Sequence, residues 1–132
     1  MNDYEQKILK KVLNDGYTRV PHLVFESLAA SNLNGTKKSL CMLLIRNTYG
    51  WGKITADLSV GDFTRGCQSE RSWIKGELHE LIDDRVFIKL NSRPREKGKY
   101  MFNHNITQWN EKVLDLNLFC QEHDYKIIQR KN

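Results

Sequence analysis

The segment 59–103 constrains the fold most, because it combines two short helices, a tight turn and a β-hairpin in that order. Ser59 and Asp62 have the spacing of a helix N-cap, and they predict a first short helix. After a turn that contains glycine, Ser69 is predicted to cap a second helix, 69–83, whose apolar residues recur at i, i+4, i+7 and i+8. This arrangement is typical of a helix-turn-helix.

A β-hairpin is predicted directly after the second helix. Residues 86–90 are β-branched and aromatic, residues 99–103 alternate polar with apolar, and the loop 91–98 joins them. A helix-turn-helix followed by a hairpin is a winged helix, and the hairpin loop is its wing. The predicted fold class is therefore α+β and mostly helical: a winged helix-turn-helix with a two- or three-stranded antiparallel wing sheet and extra N- and C-terminal helices.

The rest of the chain supplies those additional elements. Apolar residues at helical spacing predict helices in three segments, 4–13, 22–30 and 37–48, and a short strand is predicted at 54–58. The helix over 37–48 is apolar on most sides, as expected of a central core helix. A further amphipathic helix is predicted from Ile106, Trp109, Val113 and Leu116. We expect a domain over 1–104 and a C-terminal segment over 105–132, which packs on that domain or mediates dimerisation.

The net charge of +5 is concentrated in one stretch of the sequence. Residues 85–104 contain six basic residues and one acidic residue, so this stretch accounts for the whole excess. A focused positive charge indicates a polyanionic partner more strongly than a diffuse one does. A solvated basic loop is the alternative interpretation. The basic residues are Arg85, Lys89, Arg93, Arg95, Lys97 and Lys99.

These charges lie in the predicted wing, beside a helix that fits the major groove of double-stranded DNA. If the apolar stripe of the helix faces the core, its exposed side presents Arg71, Ser72, Lys75 and His79. Arg71 can bind guanine bidentately, and Lys75 can bind a base or a phosphate. Gln68 and Ser69, at the helix N-terminus, are predicted to contact phosphate. An ordinary polar helix face is the alternative interpretation.

The wing is predicted to hold the DNA backbone. Arg93, Arg95 and Lys97 surround Pro94 in a loop that cannot bury them, and they can follow phosphates or enter a narrow minor groove. Lys89 and Lys99, on the paired strands, flank the same path. Two pairs of basic residues remain open as further contacts: Lys37 with Lys38, and Arg19 with Arg46.

Other function classes find little support in the sequence. The four histidines lack metal-ligand spacing, no glycine-rich phosphate loop is present, and we expect neither an enzyme nor a cofactor. The three cysteines form no C-x-x-C pair, which fits a reducing cytosol. No apolar run approaches the length of a membrane span, and the N-terminus has no signal peptide. We therefore expect a cytoplasmic protein without membrane contact.

Three segments of the chain resemble the N-terminal domain of the bacteriophage replication protein O family. The members of this family are origin-binding replication initiators. The three segments are Gly16-Tyr17-Thr18-Arg19-Val20-Pro21, Leu33-Asn34-Gly35 and Arg46-Asn47-Thr48-Tyr49-Gly50-Trp51. The resemblance covers residues 16 to about 90. It implies a winged helix that binds repeated origin sites as a dimer, while a separate C-terminal part recruits host replication proteins.

The resemblance leads to a first functional hypothesis: a sequence-specific binder of double-stranded DNA that acts in phage replication initiation. About 28 residues follow the wing, too few for a recruiting domain of ordinary size, so we expect either a part of a longer initiator or a stand-alone member. Two alternatives remain open. One is a small winged-helix transcriptional regulator, and the other is a phage-encoded interaction module that acts on a host factor.

Overall fold

The computed structural model describes residues 1–91 and 97–123 of the 132-residue chain. This part contains six α-helices: α1 (Asp3–Asn14), α2 (His22–Ala30), α3 (Gly35–Thr48), α4 (Val60–Cys67), α5 (Arg71–Asp83) and α6 (Leu116–Glu122). Its strands, β1 (Thr55–Leu58), β2 (Phe87–Lys89) and β3 (Gly98–Phe102), form an antiparallel sheet in the order β1-β3-β2. The predicted fold class is confirmed, with the three-stranded form of the wing sheet.

Helix α3 is the centre of the core, as its apolar sequence predicts. Leu40, Cys41 and Leu44 are completely buried, and α3 contacts α4, α5, β1 and β3. Burial in this apolar environment raises the pKa of the Cys41 thiol, which is therefore a packing residue rather than a nucleophile. The predicted start of the helix is also confirmed, because Asn34 Oδ1 accepts a hydrogen bond from the Lys37 backbone N–H at 2.8 Å.

The turn of the helix-turn-helix differs from the prediction in the role of its glycine. Gly66 lies inside α4, and the left-handed residue after the helix is Gln68, with φ of 51°. A Cβ on Gly66 would lie 2.5 Å from Leu43 Cδ1, so a larger residue would push α4 away from α3. Gly66 therefore permits close packing of two helices, and the turn itself is made without a glycine.

The sheet is joined to the helices by an aromatic cluster. Phe63 of α4 packs edge-on against Tyr100 of β3, with ring centroids 5.6 Å apart, and Phe87 of β2 lies beside both rings. Gly98 is close to this cluster, because a Cβ at that position would lie 2.4 Å from the Tyr100 ring. The cluster fixes the base of the wing against the first helix of the helix-turn-helix.

The prediction of a continuous amphipathic helix after the wing is wrong. The chain instead forms a 3-10 turn at Ile106–Gln108, an irregular turn, and then α6, which Asp115 caps. Asn110 directs this break, because its side chain accepts from the Lys112 N–H and its backbone N–H donates to the Asp84 carbonyl. The spacing of the apolar residues in this region therefore reflects which side chains are buried, and it does not indicate a helical backbone.

The apolar residues of this segment pack on the chain's own core. Trp109, Val113 and Phe119 are buried, and Trp109 meets Phe102 edge-on. Leu116 is half-buried against the same core.

Gly98→Ala should destabilise the protein by roughly 1–3 kcal/mol, because the added methyl group overlaps the Tyr100 ring and displaces the aromatic cluster. The matched control is Gly35→Ala, where a Cβ meets nothing within 4 Å. Urea unfolding of both variants measures the effect. Equal stability of the two variants would contradict the packing role of Gly98.

Candidate nucleic-acid interface

Helix α5 is oriented as the apolar stripe predicts. Ile74, Leu78 and Leu81 are buried against the core. The predicted contact residues on the opposite side, Arg71, Ser72, Lys75 and His79, are all exposed. Gly76 lies on the same side, and a Cβ there would meet nothing within 4 Å. The chain itself therefore gives no packing reason for this glycine, and the surface around it is open to a partner.

The N-terminus of α5 differs from the prediction. Its N-cap is Glu70 rather than Ser69, and the Glu70 carboxylate accepts from the Ser72 hydroxyl and from the backbone N–H groups of Ser72 and Trp73. These hydrogen bonds, led by the one from the Ser72 hydroxyl, lower the pKa of Glu70. The free backbone donors expected for phosphate are thus occupied by a carboxylate. Gln68 and Ser69 remain exposed in the turn.

A buried carboxylate connects α5 to the core helix. Glu77 is only 4% exposed. It accepts a hydrogen bond from Asn34 Nδ2 at 2.6 Å and forms an ion pair with Lys37 Nζ at 3.3 Å. Lys37 also binds Glu80, one turn further along α5. Burial alone would lower the pKa of Lys37, but the hydrogen bonds to Glu80 and Glu77 outweigh it, and this pKa is raised. Lys37 therefore positions α5, a role that the sequence reasoning missed.

The described part of the wing places three predicted basic residues at its surface. Lys89, Lys97 and Lys99 are exposed, and Lys89 Nζ lies 6.0 Å from the centre of the Tyr100 ring. The base of the hairpin is closed by Asn91, which donates to the Lys97 carbonyl and accepts from the Lys99 N–H. The other two predicted wing contacts lie outside the described residues; they are Arg93 and Arg95.

The wing and α5 are connected through one end of α4. Lys97 Nζ lies 3.4 Å from the Asp62 carboxylate, and Arg65 pairs with the same carboxylate at 2.6 Å. The guanidinium groups of Arg65 and Arg71 both lie beside Gly61, within 4 Å of the position of a Cβ there. Basic groups from the wing next to β3, from α4 and from α5 therefore form one continuous surface. Sequence reasoning missed Arg65, because only the fold brings α4 next to the wing.

Asp62 organises this junction. Its carboxylate accepts from the Ser59 backbone N–H at 2.9 Å, while Ser59 Oγ accepts from the Asp62 N–H at 3.0 Å, which completes a capping box. The hydrogen bond from the Ser59 backbone is the main cause of its lowered pKa, and Lys97 adds to the effect. A carboxylate that stays ionised holds the wing base and Arg65 together.

The other basic residues left open by the sequence lie elsewhere. The Arg46 guanidinium stacks over Trp51 at 5.3 Å, and it packs against Gly50. Arg19 lies 6.0 Å from the Tyr17 ring. Lys38 and Arg46 both line an apolar groove between α2 and α3. These residues brace aromatic side chains and border a groove, and they are not part of the basic surface around α5.

No group of three His, Cys, Asp or Glu side chains that could hold a metal ion occurs within residues 1–91 and 97–123. In the same described ranges, no helix has the length and apolar character needed to cross a membrane. The histidine of the candidate surface, His79, pairs with Asp83 at 3.3 Å on the exposed side of α5. The arrangement therefore offers charged and hydrogen-bonding groups at the surface.

Comparison with known proteins gives one consistent result. A family model described as bacteriophage replication protein O matches residues 9–109. Replication protein O of Escherichia phage lambda is 26% identical over 101 residues, which are 74% of this chain and 27% of the phage lambda protein. The chain thus spans about a quarter of the length of that relative. No solved structure matches this chain.

Asp62→Asn should destabilise the protein near neutral pH by about 1 kcal/mol, because it removes the charge that Ser59, Lys97 and Arg65 bind in a partly solvated site. The folded pKa lies below the ordinary 3.8, so this contribution is complete above 3.8 and is lost as the pH falls through the folded pKa. Urea unfolding of the wild type and of Asp62→Asn from about pH 7 to about pH 2 shows whether their free energies of unfolding become equal at low pH. A constant difference at all pH values would show that charge is not its cause.

Proposed function

We propose that this chain, which belongs to the bacteriophage replication protein O family, acts in phage replication initiation as a sequence-specific binder of double-stranded origin DNA. The observation that carries the proposal is the continuous basic surface from Lys97 of the wing through Arg65 to Arg71 of α5. A helix that enters the major groove beside a basic hairpin combines base readout with backbone binding. This role requires no catalytic step and no cofactor.

Helix α5 supplies the base contacts in this proposal. Arg71 and Lys75 are four residues apart and therefore lie on one side of the helix, with His79 a further turn along. Arginine fits the O6 and N7 acceptors of guanine bidentately, and a lysine ammonium can bind the same atoms or a phosphate. Because Gly76 has no side chain on this face, the DNA backbone or a base edge can approach the helix closely.

The proposed phosphate contacts come from the wing and the turn. Lys89 and Lys99 are exposed on neighbouring strands, and Arg65 extends the basic path onto α4. Gln68 and Ser69 are also proposed to reach the backbone from the turn, although Glu70 occupies the helix N-terminus. Since cations that replace counterions dominate such contacts, the binding should depend strongly on salt.

Host replication proteins are proposed partners of the initiation complex rather than of the basic surface. The relative from phage lambda is named a replication protein, and this chain corresponds to about a quarter of it. We therefore assign to the described fold only the recognition of DNA. Selection of bound fragments from a random DNA pool tests this assignment: repeated sites support an origin binder, a single site indicates a transcriptional regulator, and no enrichment would contradict DNA recognition.

Arg71→Ala combined with Lys75→Ala should weaken binding to the selected site by about 10- to 100-fold, because the bidentate base contact is lost, while binding to unrelated DNA falls much less. Fluorescence anisotropy with both DNAs measures the ratio. The matched control is Lys7→Ala combined with Lys10→Ala, which removes the same charge from exposed positions of α1. An unchanged preference for the selected site would exclude α5 as the reading helix.

Arg93→Ala combined with Arg95→Ala should weaken binding to all DNA sequences similarly, because these residues are proposed to contact phosphates. The slope of log K against log salt should become shallower by about two. Titrations at several salt concentrations measure this slope, with the same α1 double variant as the control. A slope equal to that of the wild type would remove the wing loop from the interface.

A further inference from the structure

Helix α1 presents an apolar face that contacts no core. All of its residues are exposed, although the helix is strongly amphipathic. Tyr4 and Val12, for example, are 73% and 58% exposed. A helix of twelve residues is marginal in water on its own, so burial of this face would stabilise it. The apolar residues of the face are Tyr4, Ile8, Leu9, Val12 and Leu13.

An apolar groove of matching character lies between α2 and α3. The cavity has a volume of about 340 Å³, and Phe25 and Met42, which line it, are 68% and 67% exposed. Thr18 and Val20 of the segment that joins α1 to α2 also line it. A groove of this size accommodates several apolar side chains of a helix. The remaining apolar lining consists of Leu28, Ala29 and Ile45.

The charges of the groove and the helix are complementary. The charged residues that line the groove, Lys38 and Arg46, are both cations, and neither forms an ion pair within the described part of the chain. At 3.6 residues per turn, Glu5 falls in the middle of the apolar face of α1, while Lys7 and Lys10 fall on the opposite side. The single charge on the docking face of the helix therefore has the sign that the groove requires.

The connection between α1 and the groove favours a second copy of the chain as the source of the helix. Thr18 and Val20 already form part of the groove lining, and the chain turns at Gly16, whose φ is +99°. Residues 1–17 are all exposed, so α1 extends away from the groove that its own linker borders. A helix that extends from one copy can reach the groove of another, and a two-fold arrangement satisfies both at once.

We propose that two copies of this chain exchange their α1 helices, each helix filling the groove between α2 and α3 of the other copy. A helix of twelve residues is about 18 Å long. If each docked helix and its groove bury about 400 Å² apiece, the two reciprocal contacts remove about 1,600 Å², the size of a standard stable interface. The interface uses none of the residues assigned to DNA, so the proposal stands independently of DNA binding.

Sedimentation equilibrium of the full chain without DNA tests the proposal. The wild type should be a dimer, and Val12→Lys should be a monomer at the same concentration, because it places a further positive charge against Lys38 and Arg46 of the groove. Asn14→Lys adds the same charge to the polar side of α1 and should remain a dimer. Circular dichroism checks that each variant stays folded. A monomeric wild type, or a dimeric Val12→Lys protein, would overturn the exchange.

A charge swap tests the pairing of helix and groove. Glu5→Lys should weaken the dimer at least several-fold, and Lys38→Glu in the same chain should restore it. Restoration supports the exchange, whereas further weakening would overturn it.

A disulfide identifies which copy supplies the helix. In a Cys67→Ser background, Ile8→Cys combined with Met42→Cys should give a covalent dimer on oxidation, because Cys41 and Cys120 are buried. A disulfide within one chain would place α1 in its own groove, and an intact dimer that forms neither bond would place α1 elsewhere. Either result would overturn the exchange.

Discussion

The side chain of Asn34 links α3 and α5, the two helices on which the basic surface around α5 depends. Its Oδ1 caps α3, and its Nδ2 donates to the buried Glu77 carboxylate of α5. Lys37, in the first turn of α3, pairs with the same carboxylate. Because a buried carboxylate without partners is very unfavourable, α5 is stable only where Glu77 meets both groups. The apolar stripe brings α5 to the core, and this polar link specifies its position.

The position of α5 also determines which charges share a surface. Counted along the sequence, the excess of +5 belongs to residues 85–104 alone. In the fold, Asp62 of α4 pairs with Lys97, and Asp57 of β1 lies opposite Lys99 in the strand register. Carboxylates from distant segments thus reduce the charge of the wing, while Arg65 extends the basic surface in the other direction. The electrostatic field of the candidate interface is therefore a property of three segments rather than one.

The sequence predicted the elements whose signals are local, and it failed where the structure depends on distant contacts. The apolar stripe of α5, the hairpin and the core helix are confirmed because periodicity reports which side of an element is buried. Ser69 and Glu70 are both adequate caps, and the choice depends on where α4 ends. The Asn34–Glu77 bond spans 43 positions and has no signature in a single sequence. The family was predictable for another reason, because its motifs are short and specific.

The same distinction explains why α1 was predicted as a helix without a role. Its periodicity indicates a buried face, yet the chain leaves that face exposed. The C-terminal segment shows the converse, because Trp109 and Val113 are buried although their backbone is irregular. An apolar periodicity thus predicts that a face is covered, but it does not identify the surface that covers it. For the C-terminal segment that surface is the core of the same chain. For α1 we propose the groove of a second copy, because the linker of α1 borders its own groove while residues 1–17 stay exposed.

Exchange of α1 would also strengthen the DNA binding that we propose for the basic surface. In one copy Arg65 and Lys97 share the Asp62 carboxylate, which reduces the positive charge that they offer to phosphate. Two copies related by a two-fold axis present two α5 helices to one duplex, and the second contact then forms at a high effective concentration. Such symmetry requires half-sites in inverted orientation, separated by a distance that the exchanged helices fix. Specificity would then reside in the spacing of two sites as much as in the bases that each α5 reads.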